Sequence, residues 1–109
     1  MIISNHSQSL LYGYKRQRFA EEMKATGTVA AIRAEKGNLR YADFSPVDDP
    51  AIILLIDSWE SQVAIDKHHA SPMMKKTADL REKYDLHMKV ERYVSDESMP
   101  DLDHKFIRR

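Results

Sequence analysis

The spacing of apolar residues changes from segment to segment along the chain, and each spacing predicts an element. Residues Leu39–Phe44 alternate, with Leu39, Tyr41 and Asp43 on one face and Arg40, Ala42 and Phe44 on the other, the period-two signature of a strand. Ser45–Pro50 holds two prolines and two aspartates, a turn signal. Ala51–Trp59 follows as the clearest strand, and its unbroken apolar start predicts burial on both faces. Earlier, Phe19, Met23, Thr26, Gly27, Ala30, Ala31 and Ala34 recur at helical spacing and predict one helix over about 15–35. Its small-residue face suits close packing on a sheet. Gly27 implies a close approach or a slight bend, and Gly37 reads as the C-terminal cap. A further helix starts at Ser61 and is interrupted at Ser71-Pro72, because proline disfavours a helical predecessor and suits a helix start. A second helical piece covers about Met73–Tyr84. Met88, Val90 and Val94, with Arg92 on the same face, mark the last strand. The first strand falls within Ile2–Leu11. Its polar middle, Ser4–Ser9, makes it either an edge strand or the lining of a pocket.

The order is βαββαβ, the ferredoxin-like split unit, an α+β fold with an antiparallel sheet under two helices. Residues 1–95 form this domain, and 96–109 are a polar tail with one apolar cluster, Phe106 and Ile107. The sheet face away from the helices is expected to be bare, and Leu, Ile, Val, Tyr and Trp side chains cannot all stay wet over such an area. The physical expectation is a homodimer in which a second sheet covers it, forming a dimeric α/β barrel with the tail packed across the dimer.

Composition narrows the function classes. With 17 basic and 17 acidic residues, the chain has no net attraction for nucleic acid or a membrane surface. It has no cysteine, which removes disulfides, thiolate metal sites and a cysteine nucleophile and fits a cytoplasmic setting. The start MIISNHSQS shows neither a basic region nor a long apolar one. The longest apolar run, Ala51–Ile56, is far short of the ~20 residues that span a bilayer. No convincing metal spacing, phosphate loop or serine elbow is visible.

The candidate chemistry sits in Glu35–Met74. Asp57 and Trp59 share a strand face, and a helix folding back over the sheet brings His68 beside them. His69 lies about 100° further around that helix, so at most one of the two histidines is expected to face the site. Each residue also has a plainer reading. Trp59 can be a core aromatic, Asp57 can bond a neighbouring element, and His68 can complement the carbonyl dipole of its helix end. Met73, Met74 and Met88 read as gap-filling core.

These segments resemble the antibiotic biosynthesis monooxygenase family of small dimeric α/β-barrel proteins. The resemblance rests on GNLRYADF, the Pro/Asp turn, LLIDSW and IDKHHASPMM, and more weakly on KVERYV and the helix Phe19–Lys36, so it covers most of the chain. The family commonly has an acidic residue two positions before Trp, here Asp57 and Trp59, where Glu is more usual. It then often has His, two residues, Ser-Pro-His and an aromatic. His68, Ser71 and Pro72 match, but Met73 and Met74 replace the second His and the aromatic, which counts against a two-histidine mechanism. The haem-degrading branch needs a Trp in the second helix region, and Ser61–Tyr84 has none.

What the resemblance implies is oxidation of a quinol or related small aromatic by molecular oxygen, with no cofactor. His68, oriented by Asp57, would accept the substrate proton, Trp59 would stack on the ring, and Asn5 or Tyr41 would donate a hydrogen bond to the developing oxyanion. The same groups also fit an isomerase or lyase of a small hydroxy-carbonyl metabolite, or a dimeric ligand-binding protein without catalysis.

Overall fold

A computed structural model describes the whole chain except residues 1–4, 14, 50, 97 and 109, and for Asn5 the backbone alone. Four strands, β1 (Asn5–Tyr12), β2 (Asn38–Phe44), β3 (Ile52–Trp59) and β4 (His87–Val94), form one antiparallel sheet in the order β2-β3-β1-β4. Between and after them run α1 (Arg16–Ala25), α2 (Thr28–Arg33), α3 (Gln62–His69), α4 (Pro72–Lys83) and the short α5 (Asp101–His104). The α+β, ferredoxin-like arrangement expected from the periodicity is what the chain adopts. Among the described residues no helix is long and apolar enough to cross a membrane.

Three local expectations change. The polar first strand is not an edge. It pairs with β3 on one side and β4 on the other, so of its two readings only the pocket lining survives. Residues 2–4 of the expected strand lie outside the described residues.

The single helix expected over 15–35 breaks at Gly27, which takes a left-handed φ of 76° that an L side chain adopts at a cost. A β-carbon there would meet nothing within 4 Å, so the glycine serves the backbone turn rather than a close approach. The Thr26 hydroxyl secures the break by donating to the Glu22 carbonyl at 2.7 Å and pairing with Thr28 at 2.8 Å. Gly37 then falls beyond a further turn instead of capping the helix, and its carbonyl accepts from Glu60 N–H at 2.9 Å.

On β3, Ile53 on the helix side is buried, and Ile52, Leu54 and Ile56 on the opposite face are half-buried within this one chain.

The core lies between the sheet and the helices, around Leu11, Phe19, Met23, Ile32, Ile53, Trp59, Ile65 and Leu80. β4 is largely exposed along its length, and in the tail Leu102 and Phe106 are exposed.

Candidate active site

Strand alternation sends Ser7, Ser9 and Leu11 of β1, Tyr41 of β2, Leu55 and Asp57 of β3, and Met88 and Val90 of β4 toward the helices. Together they floor a cavity of about 240 Å³. Its walls are Phe19 of α1, His68 and His69 of α3, and Met74, Thr77 and Arg81 of α4. Register explains the floor: Asp57 lies opposite Tyr41 on one side and Ser7 on the other, so a phenol, a carboxyl and a hydroxyl stand in one row.

His68 is positioned by its own motif. Ser61 caps α3 by accepting from Ala64 N–H at 3.2 Å, and His68 follows in the last turn of that helix. Ser71 caps α4 with Pro72 in its first turn, the favoured places for both. Ser71 also donates to the His68 carbonyl, through its hydroxyl at 2.6 Å and its N–H at 3.0 Å. The His-x-x-Ser-Pro spacing therefore clamps the histidine backbone where two helices meet.

The orienting partner of the imidazole is Glu35, whose Oε2 lies 2.7 Å from His68 Nδ1, and not the expected Asp57. Glu35 sits in the turn between α2 and β2, 33 residues before His68, so no sequence spacing announces the pair. With Nδ1 committed to a carboxylate, Nε2 is the ring nitrogen left for the cavity.

Trp59 shares the face of Asp57 as expected, but it is 2% exposed and does not line the cavity. Its ring lies beneath His68, with centroids 4.6 Å apart. The indole therefore supports the imidazole, and its expected place against a substrate ring is corrected to a core position. His69 also reaches the cavity wall, so both histidines touch it and not one alone.

Met74 and Met88 line the cavity, while Met73 packs against the core. His6 takes no part, because it points to the other sheet face and bonds Ser58 at 2.6 Å. Asn5 opens β1 opposite Trp59 and Val94, and its side chain lies outside the described part. Thr77 and Arg81 were not legible as site residues. Their one-turn spacing on α4 reads equally well as an ordinary amphipathic helix.

Burial pushes the Asp57 carboxyl above its ordinary range, opposed by the nearby His68 imidazole, and Oδ1 is buried with no hydrogen-bond partner. Burial also raises the Tyr41 phenol, helped by Asp43 and Asp57, so Tyr41 remains a neutral donor at ordinary pH. Among the described residues no three carboxylates or imidazoles gather as a metal set.

Asp57 gives a pH-dependent prediction. A carboxyl raised in the folded state binds its proton more tightly there than in the unfolded chain. Stability is therefore greatest below the unfolded value and falls as pH rises through the folded one. Asp57→Asn is expected to raise the unfolding midpoint at neutral pH, with the gain shrinking on acidification toward the ordinary carboxylate range. Urea titrations of both proteins across that range test it, and a gain that is absent at neutral pH counts against it.

Comparison with known proteins follows the same lines. The sequence profile of the family described as antibiotic biosynthesis monooxygenase matches residues 15–80, more than half of the chain. No curated protein matches it.

Among solved structures, a conserved protein from Methanosarcina mazei Go1 is similar with TM-score 0.74 at 18% identity, over 84% of this chain and 92% of that one. Two proteins classed provisionally as antibiotic biosynthesis monooxygenases are similar too. The one from Deinococcus radiodurans has TM-score 0.72 at 20% identity, over 88% of this chain and 96% of its own. The one from Caulobacter crescentus CB15 has TM-score 0.73 at 15% identity, over 88% of this chain and 92% of its own. At these identities the likeness shows the fold.

Proposed function

Because the chain belongs to the antibiotic biosynthesis monooxygenase family, we propose that it oxidises a quinol or a related small aromatic with molecular oxygen and without a cofactor. The observation that carries this reading is His68, on the wall of a largely apolar cavity and held from behind by Glu35. Triplet oxygen reacts poorly with closed-shell molecules, whereas a phenolate or enolate can give it one electron. The protein's work is therefore to take a proton, hold the anion and keep water out.

In this reading a substrate hydroxyl gives its proton to His68 Nε2, and the resulting anion passes one electron to oxygen. The two radicals join at a ring carbon that still bears hydrogen. The peroxide recovers the proton from His68, and loss of water leaves a carbonyl. The substrate gains one oxygen atom and loses two hydrogens, and the second oxygen atom leaves as water. Tyr41, a neutral donor beside Asp57, is placed to bond the reacting oxygen. The uncovered sheet face, with Leu10, Leu54 and Ile56 half-buried, meets a second copy in the same reading, which sedimentation would report as twice the 12.7 kDa chain mass.

One observation favours a second reading. The polar floor of Ser7, Ser9 and Asp57 also suits acid–base isomerisation of a small hydroxy-carbonyl compound. Oxygen uptake by purified, metal-free protein against hydroquinones and anthrones decides between them. Uptake above autoxidation that falls on the order of tenfold in Glu35→Gln is the expected result. Uptake no faster than autoxidation across the panel moves the isomerase reading ahead.

A further inference from the structure

Ser9 puts a hydroxyl where the folded sheet gives it nothing to bond. It lies in the middle of β1, an inner strand, with its side chain toward the helices and only 4% of the residue exposed. Its partners across the sheet are Leu55 on β3 and Val90 on β4, and Leu11 is the next residue on its own face. A β-branched or aromatic side chain is the ordinary choice in such surroundings. Among the described residues none hydrogen-bonds the Ser9 side chain, and an unpartnered hydroxyl in an apolar setting is a cost.

This hydroxyl differs from the two buried atoms that also lack a partner. Asp57 Oδ1 and Arg81 Nε are sealed off, whereas the Ser9 hydroxyl is open to the cavity that Ser9 helps to floor. A group entering the cavity can therefore reach it.

Register fixes its place relative to the base. His68 sits over Trp59, and Trp59, Asp57 and Leu55 follow one another along the helix-side face of β3. Asp57 is level with Ser7, and Leu55 with Ser9. The base thus stands at the Trp59 end of the floor. Ser9 is one row past Asp57, about 7 Å further along the strand, among Leu11, Leu55 and Val90.

We propose that Ser9 is a specificity-determining residue. It hydrogen-bonds a second oxygen of the substrate, across the ring from the hydroxyl that His68 deprotonates. The class is an aromatic with two oxygens on opposite sides of the ring, rather than a phenol with one oxygen or a diol with neighbouring ones. This deepens the oxidation reading and rests on its first step, proton transfer from a substrate hydroxyl to His68 Nε2. A serine hydroxyl both donates and accepts, so it suits the second oxygen as a hydroxyl or as a carbonyl. A volume of about 240 Å³ admits a one-ring or compact two-ring ligand, at the small end of ligand pockets.

The test is anaerobic calorimetric titration of wild type, Ser9→Ala and Ser9→Thr with naphthalene-1,4-diol, naphthalene-1,2-diol and 1-naphthol. Wild type is expected to bind the 1,4-diol on the order of tenfold more tightly than the other two, the upper size of one hydrogen bond. Ser9→Ala should bind all three alike, by weakening the 1,4-diol alone. Ser9→Thr keeps the hydroxyl and should keep the preference. Because Ser9→Ala removes an unpartnered hydroxyl from an apolar site, it should unfold no earlier than wild type, which thermal unfolding without ligand checks.

No preference for the 1,4-diol in wild type, no binding of any probe, or an undiminished preference in Ser9→Ala would each overturn the assignment. Since no oxygen is present, the oxidation reading stands or falls separately. A preference held by a protein that takes up no oxygen keeps the assignment of Ser9 and removes the oxidase. Uptake with the 1,4-diol that is indifferent to Ser9→Ala does the reverse.

Discussion

Replacing His68 with Gln is expected to lower kcat for oxygen uptake by about 10²–10⁴-fold, the usual contribution of a positioned general base. The imidazole has its Nδ1 held by Glu35 at 2.7 Å and its backbone carbonyl held by Ser71, so a carboxamide can occupy the same space and keep a bond to the carboxylate. What it cannot do is act as the proton acceptor. If His68 served only to complement the end of α3, the substitution would cost stability and leave turnover alone. Steady-state uptake measured beside thermal unfolding separates the two. An unchanged kcat in a folded variant would sink the base assignment.

Trp59→Ala is expected to destabilise the fold by about 3–5 kcal/mol, the range for deleting a buried Phe or Trp. That is a large share of the roughly 5–15 kcal/mol that holds a domain together. Trp59 is among the largest fully buried side chains, at 2% exposure, and its ring supports His68 at 4.6 Å. The loss therefore combines a cavity with a missing ring contact. Trp59→Phe keeps a smaller ring and should cost much less. Urea unfolding of the three proteins gives the comparison, and a loss below about 1 kcal/mol in the Ala variant would contradict the supporting role.

Periodicity made the element order legible because each element satisfies its own spacing: alternation in Leu39–Phe44, helical spacing around Phe19 and Met23, and the Ser71-Pro72 start of α4. The motif that places His68 was legible for the same reason, since caps are local chemistry. What escaped was non-local. Glu35 meets His68 only after β2 and β3 have turned the chain back. The depth of Trp59 depends on α3 closing over it, and strand alternation reports direction but not depth. Gly27 carried a true signal read too weakly, because a small residue at helical spacing looks alike whether it bends a helix or ends it. Arg81 was hidden because a charged residue on a polar helix resembles a solvated one until the opposite wall is known.

The central place of β1 has a consequence for biosynthesis. β1 leaves the ribosome before its partners at 52–59 and at 87–94, so one of its edges stays open until residues 87–94 have been made. An apolar strand in that position would invite pairing with neighbouring nascent chains. Ser7, Gln8 and Ser9 make it a poor template. The polar residues that later floor the cavity thus keep the unfinished protein from sticking to itself.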